Sequence, residues 1–397
     1  MQQKEELNGS GKRILFILDS RWSHWKGTQR FLYEFGNYLQ DLNYDVTLIE
    51  NLSAVLPDTP VPNGVFPKFK IIGYRFRKLF SIFIIPKNVL EELNPDLIYV
   101  ANLNSMPFIR LRNVPVIYGS LLLNISSLPF VPLKARIVFR AKKNVLKFIS
   151  KSFWRGRPIF FHAINSDQTD WFNKNFREIP VFEIGLPIDC SVREKIDNLH
   201  AFKKNIRFTI LYFGAFSELR GFREFLDIVE LIEHDELKDS VEFVLSGGGP
   251  LFKLAVPYKE KYKNFKIIER PSDEEKIDIM INSDLFIYPS VIENFSITTV
   301  EAQLCGLPSL VADTQPLRNI VLEGKTGHLI NPKSDLKEYL RYIRKYFELW
   351  NTDFESYKKL RLSITKSTTR LCKDQVLPEL REMVEKSLKY SSDHRPS

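Results

Sequence analysis

Tyr288-Pro-Ser-Val-Ile-Glu-Asn-Phe-Ser-Ile-Thr-Thr-Val-Glu-Ala-Gln-Leu-Cys-Gly-Leu-Pro308 reads as strand end, short loop, helix and the start of a new strand. An apolar run of strand length, Asp284-Leu-Phe-Ile-Tyr288, leads in, and Pro308-Ser-Leu-Val-Ala312 leads out. Ser296 stands where an N-cap belongs, Gly306 where a helix stops, and Pro308 bars its continuation. Strand, helix and strand in succession are the repeating unit of a parallel α/β sheet. The mouth of such a helix carries unpaired N–H groups and the positive end of its dipole, which suits a diphosphate. Glu293 lies just before that helix and Glu301 inside its first two turns. Both carboxylates can therefore face one ligand and accept hydrogen bonds from paired sugar hydroxyls.

The same alternation extends upstream. Strands are expected at 207–213, 241–245 and 265–268, with a helix through Phe225, Ile228 and Leu231. An earlier series opens with Arg13-Ile-Leu-Phe-Ile-Leu18, a run suited to a strand buried on both faces. A loop from Asp19 to Gly27 and a helix through Phe31, Leu32, Phe35 and Leu39 follow it, then strands at 44–49, 96–100, 114–118 and 160–164. Two doubly wound series imply two domains, as does a length of 397 residues, more than one hydrophobic core usually holds. The expected division is 1–190, 191–375 and a tail at 376–397, whose amphipathic helix is placed to pack back on the first domain.

Composition narrows the class. At 44 % hydrophobic and 26 % charged residues, the chain has the make-up of a globular protein. Its first residues lack the apolar core of a secretory signal, and apolar runs reach about eight residues against the ~20 that span a bilayer. Cys190, Cys305 and Cys372 are scattered and odd in number, so neither a disulfide framework nor a zinc spacing is read from them. A reducing cytoplasm is the expected home. The net charge is +9. Residues 1–190 hold 25 Lys and Arg against 16 Asp and Glu, and the remainder holds 32 of each, so the excess belongs to the first half. Across 134–157 there are nine basic residues and no acidic one. Arg136, Arg140, Lys143, Lys147 and Lys151 align on one helix face, with apolar residues on another and Phe153-Trp154 at the end. Such a helix suits an anionic membrane surface at the inner face of the membrane, or a core helix with a solvated basic side. No nucleic-acid-binding motif is found. His24, in the loop after the first strand, is a candidate contact for acceptor or phosphate, as is Gly27 at the cleft.

A Glu, seven residues and a second Glu, set within Pro-Ser-x-x-Glu-x-Phe and Glu-Ala-x-x-x-Gly-x-Pro, resembles the signature of retaining GT-B glycosyltransferases of the glycogen-synthase and mannosyltransferase type. Gly214 with Arg220-Gly221 resembles the segment that holds the donor diphosphate in that family. Ser246-Gly-Gly-Gly-Pro250, which includes Gly247 and Gly248, resembles the glycine turn near the nucleotide base. Ala163-Ile-Asn-Ser166 and Ile184-Gly-Leu-Pro-Ile-Asp189 resemble segments leading to the interdomain linker, and Gly324-Lys-Thr-Gly327 with Pro332 resembles the closing signature. The resemblance is strong over about 205–335 and mainly topological over 1–150.

It implies an α/β protein of GT-B fold, two Rossmann-like doubly wound parallel-sheet domains facing each other across a cleft. It further implies transfer of a sugar from a nucleotide-sugar donor to a lipid-linked or glycan acceptor, with retention. Glu301 would hold the ribose hydroxyls and Glu293 would sit by the donor sugar. Backbone N–H groups of Phe295, Ser296 and Ile297 would cradle sugar and phosphate, and Arg220 would neutralise the leaving diphosphate. No Asp-x-Asp occurs and the six histidines are dispersed, so neither a metal nor a cofactor is expected. The chain departs from the family at Ala215, where a basic residue is usual, and at Ser296, where Gly is usual. Tyr118-Gly-Ser120 stands where a histidine is common, and Lys26-Gly27 keeps one glycine of a pair. These departures keep two alternatives open: a catalytically silent sugar-nucleotide-binding subunit, and a GT-B sugar-nucleotide epimerase.

Overall fold

The computed structural model describes residues 11–24, 27–54, 61, 64–79, 82–101, 111, 113–120, 154, 156–196 and 201–393. The chain divides into two compact units, one of Met1–Pro187 with Lys373–Ser397 and one of Ile188–Cys372.

In the first unit the described strands are β1 (Arg13–Leu18), β2 (Asp45–Asn51), β3 (Lys70–Tyr74), β4 (Arg77–Leu79), β5 (Ile82–Ile84), β6 (Leu97–Val100), β7 (Val116–Ser120), β8 (Ile159–Ala163) and β9 (Val181–Glu183). Helices α1 (Gly27–Asp41), α2 (Lys87–Leu93) and α3 (Ser166–Asn175) alternate with them. Seven strands form one parallel sheet in the order β3-β2-β1-β6-β7-β8-β9, and β4 and β5 make a separate antiparallel hairpin. Parallel strands covered on both faces read as continuous apolar runs, and β1 and β6 do so. Phe31, Leu32, Phe35 and Leu39 of α1 are buried at helical spacing. The C-terminal helix Lys373–Asp393 belongs to this unit, and its Arg381 pairs with Glu385, which also accepts from Tyr44 Oη at 3.4 Å.

The second unit holds β10 (Phe208–Ala215), β11 (Val241–Gly248), β12 (Phe265–Glu269), β13 (Leu285–Tyr288), β14 (Ser309–Ala312) and β15 (Gly327–Ile330). Between and after them run α4 (Phe222–Glu233), α5 (Phe252–Lys261), α6 (Asp273–Ile281), α7 (Ile297–Leu304), α8 (Leu317–Ile320), α9 (Lys337–Thr352) and α10 (Phe354–Thr368). All its strand pairs are parallel, in the order β12-β11-β10-β13-β14-β15. Renumbered within the unit this is 3-2-1-4-5-6, so the order reverses between β10 and β13. Ligands of open α/β sheets bind at the carboxyl ends of the strands flanking such a switch point.

Three expectations need correction. Gly247 and Gly248 are not in a turn; they extend β11 and pair with Gly214 and Ala215. The missing Cβ is what allows it, because one added at Gly247 would lie 2.0 Å from Gly214 O. Cys190 and Cys372 form a disulfide despite lying 182 residues apart, with Cα atoms 5.6 Å distant. The bond joins the two ends of the second unit, and only the fold brings those ends together. The inference of a reducing compartment from scattered cysteines therefore loses its footing, although Cys305 stays free and buried. Trp154 is not presented to a membrane. It is 7 % exposed and stacks on Tyr118 at 5.3 Å within the first unit's core. Of the rest of the basic stretch, residues 134–153 and 155 lie outside the described residues. No helix among the described residues is long and apolar enough to cross a membrane.

Candidate donor site at the switch point of the second unit

The carboxyl ends of β10 and β13 carry the decisive loops. After β10 the chain makes a tight turn through Glu218–Arg220 and enters α4 at Gly221, whose φ is +66°. A Cβ at Gly221 would meet Pro289 O at 2.1 Å, so the backbones after β10 and β13 approach as closely as glycine permits. That approach sets Arg220 beside the loop that carries Glu293.

Arg220 forms an ion pair with Glu293 and donates from Nη1 to Ile292 O at 2.5 Å. The Glu293 side chain is 6 % exposed and that of Arg220 32 %. The buried Ser290 hydroxyl lies 3.1 Å from Glu293 Oε1 and can also donate to Leu219 O or Ile292 O. Burial pushes the Glu293 carboxyl above its ordinary range, with the Arg220 charge and the Tyr288 and Ser290 hydroxyls opposing the shift. Arg220 itself is anchored through its backbone, since Tyr212 Oη donates to Arg220 O at 3.3 Å and to Ala215 O at 3.0 Å. Gly214, at the end of β10, packs where a Cβ would lie 3.2 Å from the Tyr288 ring.

Ser296 occupies the N-cap position of α7, but its side chain does not cap the helix. Its φ of +60° and ψ of +62° turn the backbone left-handed, and Oγ shares a 2.8 Å hydrogen bond with Thr299 Oγ1. A left-handed non-glycine residue costs on the order of 1–2 kcal/mol, which marks the turn as one the surrounding fold imposes. Because the hydroxyl is engaged elsewhere, it does not satisfy the first-turn N–H groups. Phe295 is buried ahead of it, and Ile297 opens the helix half-buried.

The far end of α7 is held firmly. Gly306 N donates to Gln303 O and Leu307 N to Ala302 O, with Gly306 at φ +77°, a Schellman closure. Buried Arg361 of α10 donates to Cys305 O at 3.2 Å and Ile281 O at 3.0 Å. Gln303 donates to Thr326 Oγ1 at 3.1 Å, which gives Thr326 of the Gly324-Lys-Thr-Gly327 segment a supporting role beneath the helix. Glu301 extends from α7 to Lys276 Nζ of α6, 2.9 Å away, with both side chains about 15 % exposed.

Arg220 and Glu293 are thus in direct contact, and Glu301 lies within the first two turns of the helix that Ser296 opens. Gly247 and Gly248 lie beside Gly214 on the neighbouring strand. His24 and Gly27 belong to the first unit, in the loop after β1 and at the start of α1. His24 is buried, and that loop is pinned by Gln29, which donates to Ser20 Oγ and Arg21 O at 3.0 Å each. Sequence reasoning missed Ser290, Tyr288 and Lys276. The first two fall inside the quoted motif and are readable there as polar groups near Glu293. Lys276 offered no signal, since α6 is separate from α7 in the chain. It missed buried His162 too, which joins Tyr99 Oη at 2.7 Å to Ile184 O at 2.8 Å in the first unit. Burial lowers its pKa to about 4, so it is a neutral core link at ordinary pH.

Comparison with known proteins extends this picture. Residues 193–364 match the family described as Glycosyl transferases group 1. A phosphatidyl-myo-inositol mannosyltransferase of Mycobacterium leprae is 27 % identical over 124 residues, 31 % of this chain and 33 % of that protein. Sucrose synthase 5 of Oryza sativa is 23 % identical over 174 residues, 43 % of this chain and 20 % of that one. The matches therefore span about a third or less of these relatives. Among solved structures, sucrose-phosphate synthase from Thermosynechococcus elongatus superposes with a TM-score of 0.68 at 13 % identity, covering 94 % of this chain and 98 % of its own. HepE of Anabaena in complex with UDP does so with a TM-score of 0.65 at 17 % identity, covering 94 % and 100 %.

Proposed function

We propose that this chain, whose residues 193–364 are a glycosyl transferases group 1 domain within a GT-B fold, moves a sugar from a nucleotide-sugar donor to an acceptor with retention of anomeric configuration. The observation that carries the reading is the grouping of Arg220, Glu293, the left-handed Ser296 and Glu301 around the switch point of the second unit. Glu301 accepts from the ribose hydroxyls, and the N–H groups at the mouth of α7 receive the diphosphate. As the glycosidic C–O bond breaks, its electron pair passes to the diphosphate and positive charge develops on the sugar ring; an acceptor hydroxyl forms the new C–O bond on the face the diphosphate leaves, and its proton passes to a diphosphate oxygen. Arg220 and the α7 dipole stabilise the departing anion, and the Glu293 carboxyl faces the sugar. These groups take the place of a divalent ion, so turnover in excess chelator is expected to persist. The structure of HepE with UDP favours a nucleoside diphosphate as the common ligand part.

The acceptor we propose is lipid-linked or glycan, with the basic side chains of the stretch 134–157, its buried Trp154 apart, docking on an anionic membrane surface. The mycobacterial relative's name, which contains a phosphatidyl lipid, agrees with the lipid-linked option. A second reading is a binding subunit without turnover. It is favoured by the Arg220 charge being already matched by Glu293 while Ala215 adds none. The test is calorimetric titration with uridine, guanosine and adenosine diphosphates, followed by mass spectrometry of products from a mixed nucleotide-sugar pool and a membrane extract. Glu301→Ala should weaken binding by about 1.5–3 kcal/mol, the scale of charge-assisted hydrogen bonds. Binding with transfer supports the transferase, binding without transfer the silent subunit, and no binding removes both.

A further inference from the structure

We infer that Lys276 is a positioning residue for donor recognition: it holds the Glu301 carboxylate in place and cancels its charge, so that the site reads ribose while admitting an anion. The inference rests on the donor-site reading above.

Lys276 rises from the first turn of α6, and that turn is fixed. Ser272 Oγ accepts from Glu275 N at 3.2 Å, and the Glu275 carboxylate accepts from Ser272 N at 2.8 Å, a reciprocal capping box. Lys276 N continues the turn by donating to Ser272 O at 2.9 Å. From this base the ammonium reaches Glu301 Oε1 at 2.9 Å and Asp273 Oδ1 at 3.3 Å. The two carboxylates are not equivalent. Asp273 is 82 % exposed and well solvated, whereas Glu301 is 14 % exposed and Lys276 15 %. Exposed pairs contribute little, but a pair shielded to this degree is only weakly screened.

The chemistry sets a conflict that Lys276 resolves. A carboxylate is the natural acceptor for two vicinal hydroxyls, yet it brings a full negative charge to a site that must also take a diphosphate. An ammonium on one carboxylate oxygen removes the net charge without removing the acceptor. It also restrains Oε1 of a side chain that has three rotatable bonds and of which α7 by itself holds only the backbone. Lys276 does this across two helices that are separate in sequence.

The experiment compares nucleoside diphosphates with their 2′,3′-dideoxy counterparts, using wild type, Lys276→Met, Lys276→Arg and Glu301→Ala. Lys276→Met keeps the length of the apolar stem and removes the charge. It should lower affinity for the ribose form more than about tenfold and for the dideoxy form by a clearly smaller factor, the repulsion of an uncancelled Glu301 charge that both diphosphates meet, so the preference for ribose collapses toward that of Glu301→Ala. Lys276→Arg should restore most of the preference. Donor KM should rise in Lys276→Met with kcat within about twofold. Wild-type preference in Lys276→Met, or an equal loss for both ligand forms, overturns the inference while Glu301→Ala still reports on the donor site. Failure of wild type to bind any nucleoside diphosphate removes the donor-site reading, and the inference falls with it. Thermal melts of all variants show whether each is folded.

Discussion

Replacing Arg220 by Ala tests the physics of the candidate site without knowledge of any substrate. The substitution leaves the Glu293 carboxyl, 6 % exposed, without the cation that opposes its burial. Removing one partner of a buried ion pair costs about 3–5 kcal/mol. Two features place this case near the lower end, about 3 kcal/mol. The Arg220 side chain is 32 % exposed, so water can enter where the guanidinium stood, and Ser290 and Tyr288 still donate to the carboxyl. Glu293→Gln alone should cost about 1 kcal/mol, since an amide keeps a hydrogen-bonding oxygen. The double variant should recover much of the Arg220→Ala loss, because no buried charge then remains. The pH dependence follows from the raised Glu293 pKa. A carboxyl whose folded pKa exceeds its unfolded value contributes stability that is full below the unfolded value and is lost as pH rises through the folded one. Without Arg220 the folded value rises further, so the deficit of Arg220→Ala should be largest near neutral pH and shrink toward acid pH. Urea unfolding of the four proteins at several pH values measures both effects. A double variant no more stable than Arg220→Ala, or a deficit that grows on acidification, would refute the reasoning.

Three further expectations concern other parts of the molecule. Gly221→Ala should destabilise the second unit by roughly 3 kcal/mol, because a Cβ there meets Pro289 O at 2.1 Å in a left-handed backbone; an unchanged urea midpoint would argue against this close approach. Unreduced protein, denatured and alkylated, should take up one label, at Cys305, and three after reduction. Since the bond closes a loop of 182 residues, reduction should lower stability by as much as about 5 kcal/mol on chain-entropy grounds, read from melts with and without reductant. Co-sedimentation with anionic vesicles should be strong at low salt and weaken as salt rises, and reversing Arg140, Lys143 and Lys147 to Glu should abolish it. Indifference to such vesicles at low salt would remove the membrane proposal and favour a soluble acceptor.

Much of the architecture was legible in the chain because parallel strands covered on both faces leave a strong local mark. The reading of 13–18 as a strand matches β1, and those of 241–245 and 265–268 fall within β11 and β12. Local rules also located the closure of α7 at Gly306 and the loop holding Glu293, since caps and stops act within a few residues. They did not reach the conformation of Ser296. A serine before a helix ordinarily caps it, whereas here the backbone is left-handed and the hydroxyl is bonded to Thr299 Oγ1. What the sequence by itself determined was the alternation of strands and helices, the glycines that let β10, β11 and the loop after β13 approach, and the carboxylates at the mouth of α7. Tertiary structure alone decided which side chains meet: Arg220 with Glu293 across 73 residues, Lys276 with Glu301 across 25, and Cys190 with Cys372 across 182. Backbone preference is a property of neighbours in the chain, whereas Coulomb attraction, burial and disulfide bonding depend on distance in space, which only the assembled sheet fixes.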